Sequence, residues 1–373
     1  MRNKTKKTLL PVLIGLASFL LAGANPILAG ASKTSHPVVF AHGLGGMDDI
    51  FGFFYFGDDY GTFVGDPCDT FLEVSCNAQI HSAQKAHAAQ VAPFQTSEVR
   101  GTQLANEIEG YLATVGASSV NIIGHSQGGI DARKAAHVLR ARTGRQVVKV
   151  LLTVSSPHRG SPVAKSLLDL GSATQVVNFL ATVYGNIVYG AGNDGYGAAM
   201  QLVYDDYSAT DGVQTGMRIF NEHYPNSPAV AKRYASVVTA QRGAGLNPAL
   251  GLLKALIDID GDGACAGDCD NDGAGGKGDG TRGDLDDDGL VGINSQQNGY
   301  RLQYTECFLC FDSFNTYGAL GYAGDANAPT NSQMQSAAAI IEQDHADVIG
   351  VGPDTFDEKE FYAAALHYIA YYD

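Results

Sequence analysis

The sequence predicts an α/β fold, a sheet with helices packed on it. Two observations carry this. Short apolar runs recur along the chain, at 37–41, 88–94, 120–123, 147–154 and 234–240, and read as buried strands. Helix-like segments follow several of them, at 96–114 and 127–142 and near the end at 361–372. The central stretch, residues 119–130, reads Ser-Val-Asn-Ile-Ile-Gly-His-Ser-Gln-Gly-Gly-Ile. Its apolar run ends in Gly124-His125-Ser126-Gln127-Gly128, a Gly-x-Ser-x-Gly pattern, and the 127–142 helix starts at once. Strand, sharp turn and helix in that order lift a serine hydroxyl above the sheet edge. They also aim helix N-terminal amides at negative charge forming beside it. Ser126 is therefore the candidate nucleophile.

Of the 373 residues, 1–31 read as an export signal. Arg2, Lys4, Lys6 and Lys7 precede an apolar run from Leu9 to Leu21, with small residues and candidate cleavage points after Ala24 or Ala31. That run is short for a membrane span and is interrupted by glycine and proline, so a soluble, exported protein of residues 32–373 is expected, not an integral membrane protein. The formal charge is −15; removing 1–31 takes away four basic residues and no acidic one, leaving 20 basic against 39 acidic, or −19. Such a balance argues against nucleic acid as a partner and suits a protein that binds cations. Six cysteines fall into close pairs, Cys68/Cys76, Cys265/Cys269 and Cys307/Cys310. Export favours disulfides; a zinc site from Cys265, Cys269, Cys307 and Cys310 is the alternative.

In chain order, the first strand, Pro37 to Ala41, runs into His42-Gly43-Leu44-Gly45-Gly46. This string, with Gly-His-Ser-Gln-Gly-Gly downstream, resembles the true lipases of Gram-negative bacteria, the Pseudomonas–Burkholderia type within the α/β-hydrolase fold. The resemblance implies a mostly parallel sheet with helices on both faces. It also implies an oxyanion hole made by the backbone amides of Leu44 and Gln127. Two amide donors beside the serine are what a tetrahedral oxyanion requires. Phe51, Phe53, Phe54, Tyr55 and Phe56 follow, as acyl-pocket lining or as ordinary core. The Cys68–Cys76 loop is an insertion relative to the family. Thr96-Ser97-Glu98-Val99-Arg100-Gly101 opens a helix, with Ser or Thr suited to the cap and Glu98 to the first turn. It also matches a family string and is assigned a structural role. Ser155-Ser156-Pro157-His158-Arg159-Gly160-Ser161 resembles a family loop that borders the active site, and His158 is read as structural.

Residues 163–230 are rich in small and apolar residues, with amphipathic helices at 163–170 and 173–183. Lying between two strands, this segment is expected to form a lid with an apolar face, or a fixed helical cap. After the 234–240 strand the composition changes abruptly. Residues 258–288 hold eleven aspartates among glycines, in three Asp-x-Asp-x-Asp-Gly frames: Asp258-Asp260-Asp262, Asp268-Asp270-Asp272 and Asp284-Asp286-Asp288. Alternate carboxylates on a turning loop converge oxygen ligands, the chemistry of calcium. The glutamate of an EF-hand is missing from all three frames, so the stretch resembles the aspartate repeats of extracellular calcium-binding modules.

Asp288-Gly289-Leu290-Val291-Gly292 matches the lipase string around the triad acid, which points to Asp288; if Asp288 serves calcium, Asp286 or Asp287 takes that role. Residues 300–335 read as loop, and 336–343 as an apolar segment against the sheet. Asp344-His345-Ala346-Asp347-Val348-Ile349 resembles the family's His-x-Asp string. The fold's chain order is Ser, acid, His, and only His345 and His367 follow Asp288. His367 lies in the terminal helix, so His345 is the expected base. The resemblance implies a calcium ligand at Asp347 that steadies the histidine loop, with Asp258, Asp268 and Asp270 as candidate partners. The expected function is a secreted serine ester hydrolase, a triacylglycerol lipase on ester substrates at an oil–water interface, with an export chaperone as a possible partner. An esterase or polyester hydrolase, or a calcium-dependent binding module on an inactive scaffold, are the alternatives.

Overall fold

In a parallel sheet covered on both faces, strands carry apolar side chains on both sides, and they do so here. The computed structural model describes residues 33–46, 83–169, 171–184, 188–204, 216–257, 259, 285–307, 311–317, 322–323, 325–328, 334, 336–350 and 356–373. The leader, the aromatic cluster of Phe51 to Phe56, the aspartates from Asp258 to Asp284 and every cysteine except Cys307 lie outside the described residues. Cys307 is disulfide-bonded.

Strands β1 (Val38–Ala41), β2 (Ala86–Ala89), β3 (Val120–His125), β4 (Val148–Val154) and β5 (Ala231–Thr239) pair in parallel in the spatial order β2-β1-β3-β4-β5. Val38 and Phe40 face one core with Leu152, Val237 and the terminal helix. Val39 and Ala41 face the other with Ile122, Leu104 and Ala135. Helices α1 (Ser97–Val115) and α2 (Gln127–Thr143) thus cover one face, and the terminal helix, Glu358–Tyr372, covers the other. Phe361 anchors that helix through ring contacts with Phe314, Phe356 and Tyr362 at 5.2, 5.4 and 4.9 Å between centroids. Thr96 stands at the start of α1 as expected, but its side chain makes no capping bond; its carbonyl takes the Val99 and Arg100 amides instead.

Between β4 and β5 the chain leaves the sheet as α3 (Pro162–Leu168), α4 (Ala173–Tyr184), α5 (Gly195–Gln201) and α6 (Met217–His223). Ser161 caps α3 by accepting from the Val163 amide, with Pro162 at its first turn. Leu168, Val176, Leu180, Ala199 and Leu202 close into one apolar cluster with Phe94, and Leu44 packs against it. Phe94 is therefore part of the cap's core. The second strand ends at Ala89, short of the expected 88–94, because Pro93 has no amide to donate and Phe94 turns toward the cap.

Helices α7 (Pro248–Leu256) and α8 (Ile293–Gln296) follow β5. The region expected to be loop is in part sheet. Here β6 (Gly299–Thr305) extends the parallel sheet beside β5, and β7 (Ser313–Thr316) and β8 (Tyr322–Ala323) pair antiparallel with β6; in the 336–343 segment, expected against the sheet, β9 (Ile340–Ile341) pairs with the end of β5. The strand signal was masked because β6 carries Arg301 where an apolar residue would read as core. That guanidinium is buried and bonds the carbonyls of Met334 and Ser336. No helix among the described residues is long and apolar enough to cross a membrane.

The register decides where chemistry can sit. Ala41 lies beside Gly124, and Val154 lies beside both His125 and Val237. The carboxyl ends of β1, β3, β4 and β5 therefore stand level, the edge at which open α/β sheets hold their sites.

Candidate active site

Ser126 joins β3 to α2 at φ 54° and ψ −132°, a conformation that costs a non-glycine residue on the order of 1–3 kcal/mol. Close packing on both sides holds it there. The Ser126 amide donates to the Val154 carbonyl at 2.9 Å, and its own carbonyl accepts from the Gly129 amide at 3.1 Å. A Cβ on Gly124 would lie 2.6 Å from the Gly129 nitrogen, and one on Gly128 would sit on the Ala41 carbonyl oxygen. Glycine at both positions lets the helix start press against β3 and β1.

The hydroxyl raised by this turn meets an imidazole from a distant part of the chain. His345 Nε2 lies 2.8 Å from Ser126 Oγ, and His345 Nδ1 lies 2.8 Å from Asp288 Oδ2. A carboxylate only accepts, so Nδ1 carries the proton and the Nε2 lone pair faces the serine O–H. His345 is 7% exposed and Asp288 is fully buried. The Asp288 carbonyl also accepts from the His345 amide at 2.9 Å, which ties the two loops together.

The Asp288 carboxylate is satisfied on both oxygens. Oδ1 takes the amides of Leu290 and Val291 at 3.1 and 2.8 Å, and Oδ2 also takes Thr239 Oγ1 and Gln296 Nε2 at 3.2 Å each. With Thr239 donating to Asp288, Ser155 Oγ, 2.6 Å from Thr239 Oγ1, must donate to the threonine. Behind His345, buried His125 Nε2 stands 2.9 Å from the His345 carbonyl and so donates to it. Burial drives the His125 pKa well below the usual histidine range, and the neighbouring His345 adds to the shift. The sequence reading passed over Thr239, Gln296 and His125. Thr239 carried one usable signal, its position at the carboxyl end of a strand.

The other two acid candidates are engaged elsewhere. Asp287 pairs with buried Lys254 at 2.8 Å and takes the Gly289 amide at 2.7 Å. Asp286 lies 3.9 Å from the same ammonium. His158 is buried beside Thr153 Oγ1 at 3.1 Å, and its carbonyl accepts from Asn221. Burial first, then Arg133 and Arg159, hold its pKa well below the usual range. His367 is on the exposed side of the terminal helix. Of the expected metal ligands, Asp286 and Asp347 are described. Asp347 is buried next to the histidine loop and accepts the Asp344 amide at 2.9 Å. Among the described residues no three carboxylate, histidine or cysteine groups converge as metal ligands would.

Leu44 stands three residues beyond Ala41, which is level with Gly124, so its loop adjoins the elbow. Among the described residues no acceptor takes a hydrogen bond from the Leu44 or Gln127 amide. Gln127 is held by its side chain, which donates to the Gln95 carbonyl at 2.8 Å. Buried Arg100 holds the loop. Its guanidinium donates to the carbonyls of His42 and Gly43 at 2.6 and 3.1 Å and of Ala92 and Pro93 at 2.9 and 3.1 Å, and it pairs with Asp131 at 2.7 Å. Four carbonyls are thus drawn to one cation, which gives the Thr96–Gly101 string its structural part.

The fold is that of the α/β hydrolases. A solved metagenomic carboxyl esterase superposes over 93% of this chain and 79% of its own with a TM-score of 0.50 at 13% identity. The family profile described as a PGAP1-like alpha/beta domain matches residues 104–186. In sequence, the chain is similar to proteins named triacylglycerol lipase. One from Burkholderia plantarii is 31% identical over 193 residues, 48% of this chain and 48% of that protein. One from Vibrio cholerae is 32% identical over 151 residues, 40% of this chain and 42% of that protein. The chain thus spans about half the length of the curated relatives it matches.

Two outcomes follow from this packing. Arg100→Met leaves Asp131 buried without its partner, so it should lower unfolding free energy by about 3–5 kcal/mol in urea titration; a loss below about 1 kcal/mol would contradict the role given to Arg100. The second concerns acid. Burial keeps His42, His125 and His158 neutral when folded, with the His42 pKa lowered to about 3. The unfolded chain protonates them near pH 6.5, so their contribution is complete above that pH and is lost as pH falls below it. Each costs about 1.4 kcal/mol per pH unit there. The urea midpoint should fall between pH 7 and pH 5; a constant midpoint would argue against three buried neutral imidazoles.

Proposed function

We propose that this chain is a serine ester hydrolase, with Ser126 as nucleophile, His345 as general base and acid, and Asp288 as the carboxylate that orients His345. One observation carries the reading: a single imidazole spans a strained serine and a buried carboxylate at 2.8 Å on either side. In this mechanism Ser126 Oγ attacks the ester carbonyl carbon while its proton passes to His345 Nε2. The negative oxygen accepts from the amides of Leu44 and Gln127, each worth about 3 kcal/mol in the transition state. His345 then gives its proton to the departing alcohol. Water, deprotonated by His345, attacks the acyl-serine; as the bond to Ser126 Oγ breaks, His345 returns that proton to the serine and the acid leaves. Asp288 stabilises the imidazolium formed in each half.

The substrate we propose is triacylglycerol, and the kinship the Pseudomonas–Burkholderia type of lipase. Relatives named triacylglycerol lipase support this, as does the apolar cap cluster against which Leu44 packs. Export through the 1–31 leader and disulfide pairing belong to the same reading. So does calcium. Its holders would be the aspartates between Asp258 and Asp284, together with Asp286 and Asp347. Its chemistry would be structural, pinning oxygen-rich loops, and no step of the reaction passes through it.

Ser126→Ala should abolish hydrolysis of triolein, tributyrin and fluorophosphonate labelling while leaving the melting temperature nearly unchanged. Retained turnover would end the assignment. Hydrolysis of tributyrin and polyester film without triolein would move the reading to an esterase. For calcium, EGTA should lower the melting temperature, with recovery on adding CaCl2; an unchanged value rules out a stabilising ion.

A further inference from the structure

Helix α7 buries a lysine beside Leu250 on its inner face. It exposes Leu252 and Leu256, each 63% accessible, and turns its lysine, Lys254, inward at 3%. An ammonium taken out of water costs several kcal/mol unless it is paired and hydrogen-bonded. Lys254 Nζ is 2.8 Å from Asp287 Oδ2 and donates to the Gln241 carbonyl at 3.3 Å. Gln241 in turn donates its amide to the Asp287 carbonyl at 3.0 Å. These contacts close a ring joining α7, the end of β5 and the residue next to Asp288. Leu250 of α7 packs on the same turn, where a Cβ added to Gly289 (φ 92°) would lie 2.8 Å from the Leu250 Cβ.

The other end of α7 reaches the second loop of the site. Asn247, which caps the helix, donates its amide to Asp344 Oδ2 at 2.6 Å. The other Asp344 oxygen takes the amides of Ala346 and Asp347 at 2.8 and 3.0 Å, and so holds the turn around His345. One short helix therefore grips the acid turn through Lys254 and the histidine turn through Asn247.

We propose that the Lys254–Asp287 pair is a positioning device for the reaction: it fixes the acid turn so that the next side chain, Asp288, meets His345 Nδ1. This rests on the reading of Ser126, His345 and Asp288 given above. Neither Lys254 nor Asp287 touches substrate. Their effect passes through the backbone between Asp287 and Gly289, where Asp287 Oδ1 takes the Gly289 amide at 2.7 Å. The Asp287 side chain goes to α7 and the Asp288 side chain to His345. A shift of about 1 Å at a reacting group can cost about a hundredfold in rate.

The test is steady-state hydrolysis of p-nitrophenyl butyrate by the full chain and its variants, with circular dichroism to verify folding. Lys254→Met should lower kcat at least about tenfold with KM within about twofold, because substrate binding does not involve the pair. Lys254→Arg should recover most of the loss. Asp287→Asn keeps an oxygen for the Gly289 amide but not the charge, and should lose kcat likewise. The double variant Lys254→Met/Asp287→Asn should lose no more than the worse single, as expected for groups acting as one unit. Folded Lys254→Met and Asp287→Asn with wild-type kcat, or a Lys254→Arg no better than Lys254→Met, would overturn the proposal. If Lys254→Met does not fold, Asp287→Asn decides. A wild-type chain inactive on every ester overturns the catalytic reading and this one together; an active wild type with unaltered variants overturns this one alone.

Discussion

The start of α2 approaches β1 so closely that there is no room for a side chain on Gly128 against the Ala41 carbonyl. That approach is the constraint on which the site depends. It holds Ser126 at a positive φ that a serine would otherwise leave, and the energy to keep it there comes from the two cores flanking the sheet. Because β1, β3, β4 and β5 end level, the loops that follow them converge on the serine. The imidazole, the acid and the amide-bearing loop of Leu44 arrive from three separate parts of the chain.

Those loops are held by buried polar groups with their hydrogen bonds made. Asp288 is satisfied on both oxygens, Arg100 gathers four carbonyls and a carboxylate, and His125 supports the His345 carbonyl. Buried polar networks of this kind are costly when broken and specific when complete, because each lost partner leaves a desolvated group behind. The same reasoning explains α7, which buries an ammonium and Leu250 while Leu252 and Leu256 meet solvent. Leu250 and Lys254 share the face that meets the acid turn, so packing and the ion pair fix the same orientation.

Legibility in the sequence followed how local the cause was. Strands β1, β3, β4 and β5 carry dense apolar runs and were readable within a few residues of their ends. The strand-turn-helix at Ser126 was readable because its determinants, two glycines and an apolar run, lie within a dozen residues. The second strand was misjudged because Phe94 is apolar for the cap's sake, and apolarity alone does not say which layer a residue joins. The edge strands were missed because β6 buries an arginine and pairs through backbone groups that any residue supplies. Thr239 and Gln296, which complete the shell of Asp288, are ordinary polar residues until the strand end and the acid turn come together.

The sequence by itself determined the α/β class, the serine on its turn and the order in which serine, carboxylate and imidazole occur along the chain. The first two depend on spacing and periodicity, which short segments carry without help; the third rests on the family strings that Asp288 and His345 sit in. It pointed to Asp288 only through the resemblance of the string around it, since Asp286, Asp287 and Asp288 are three like residues in a row. Tertiary structure separated them, because neighbouring side chains on a tight turn leave the backbone in different directions. One direction led to a buried ammonium on α7, the next to the imidazole of His345, and only the packed fold contains both partners.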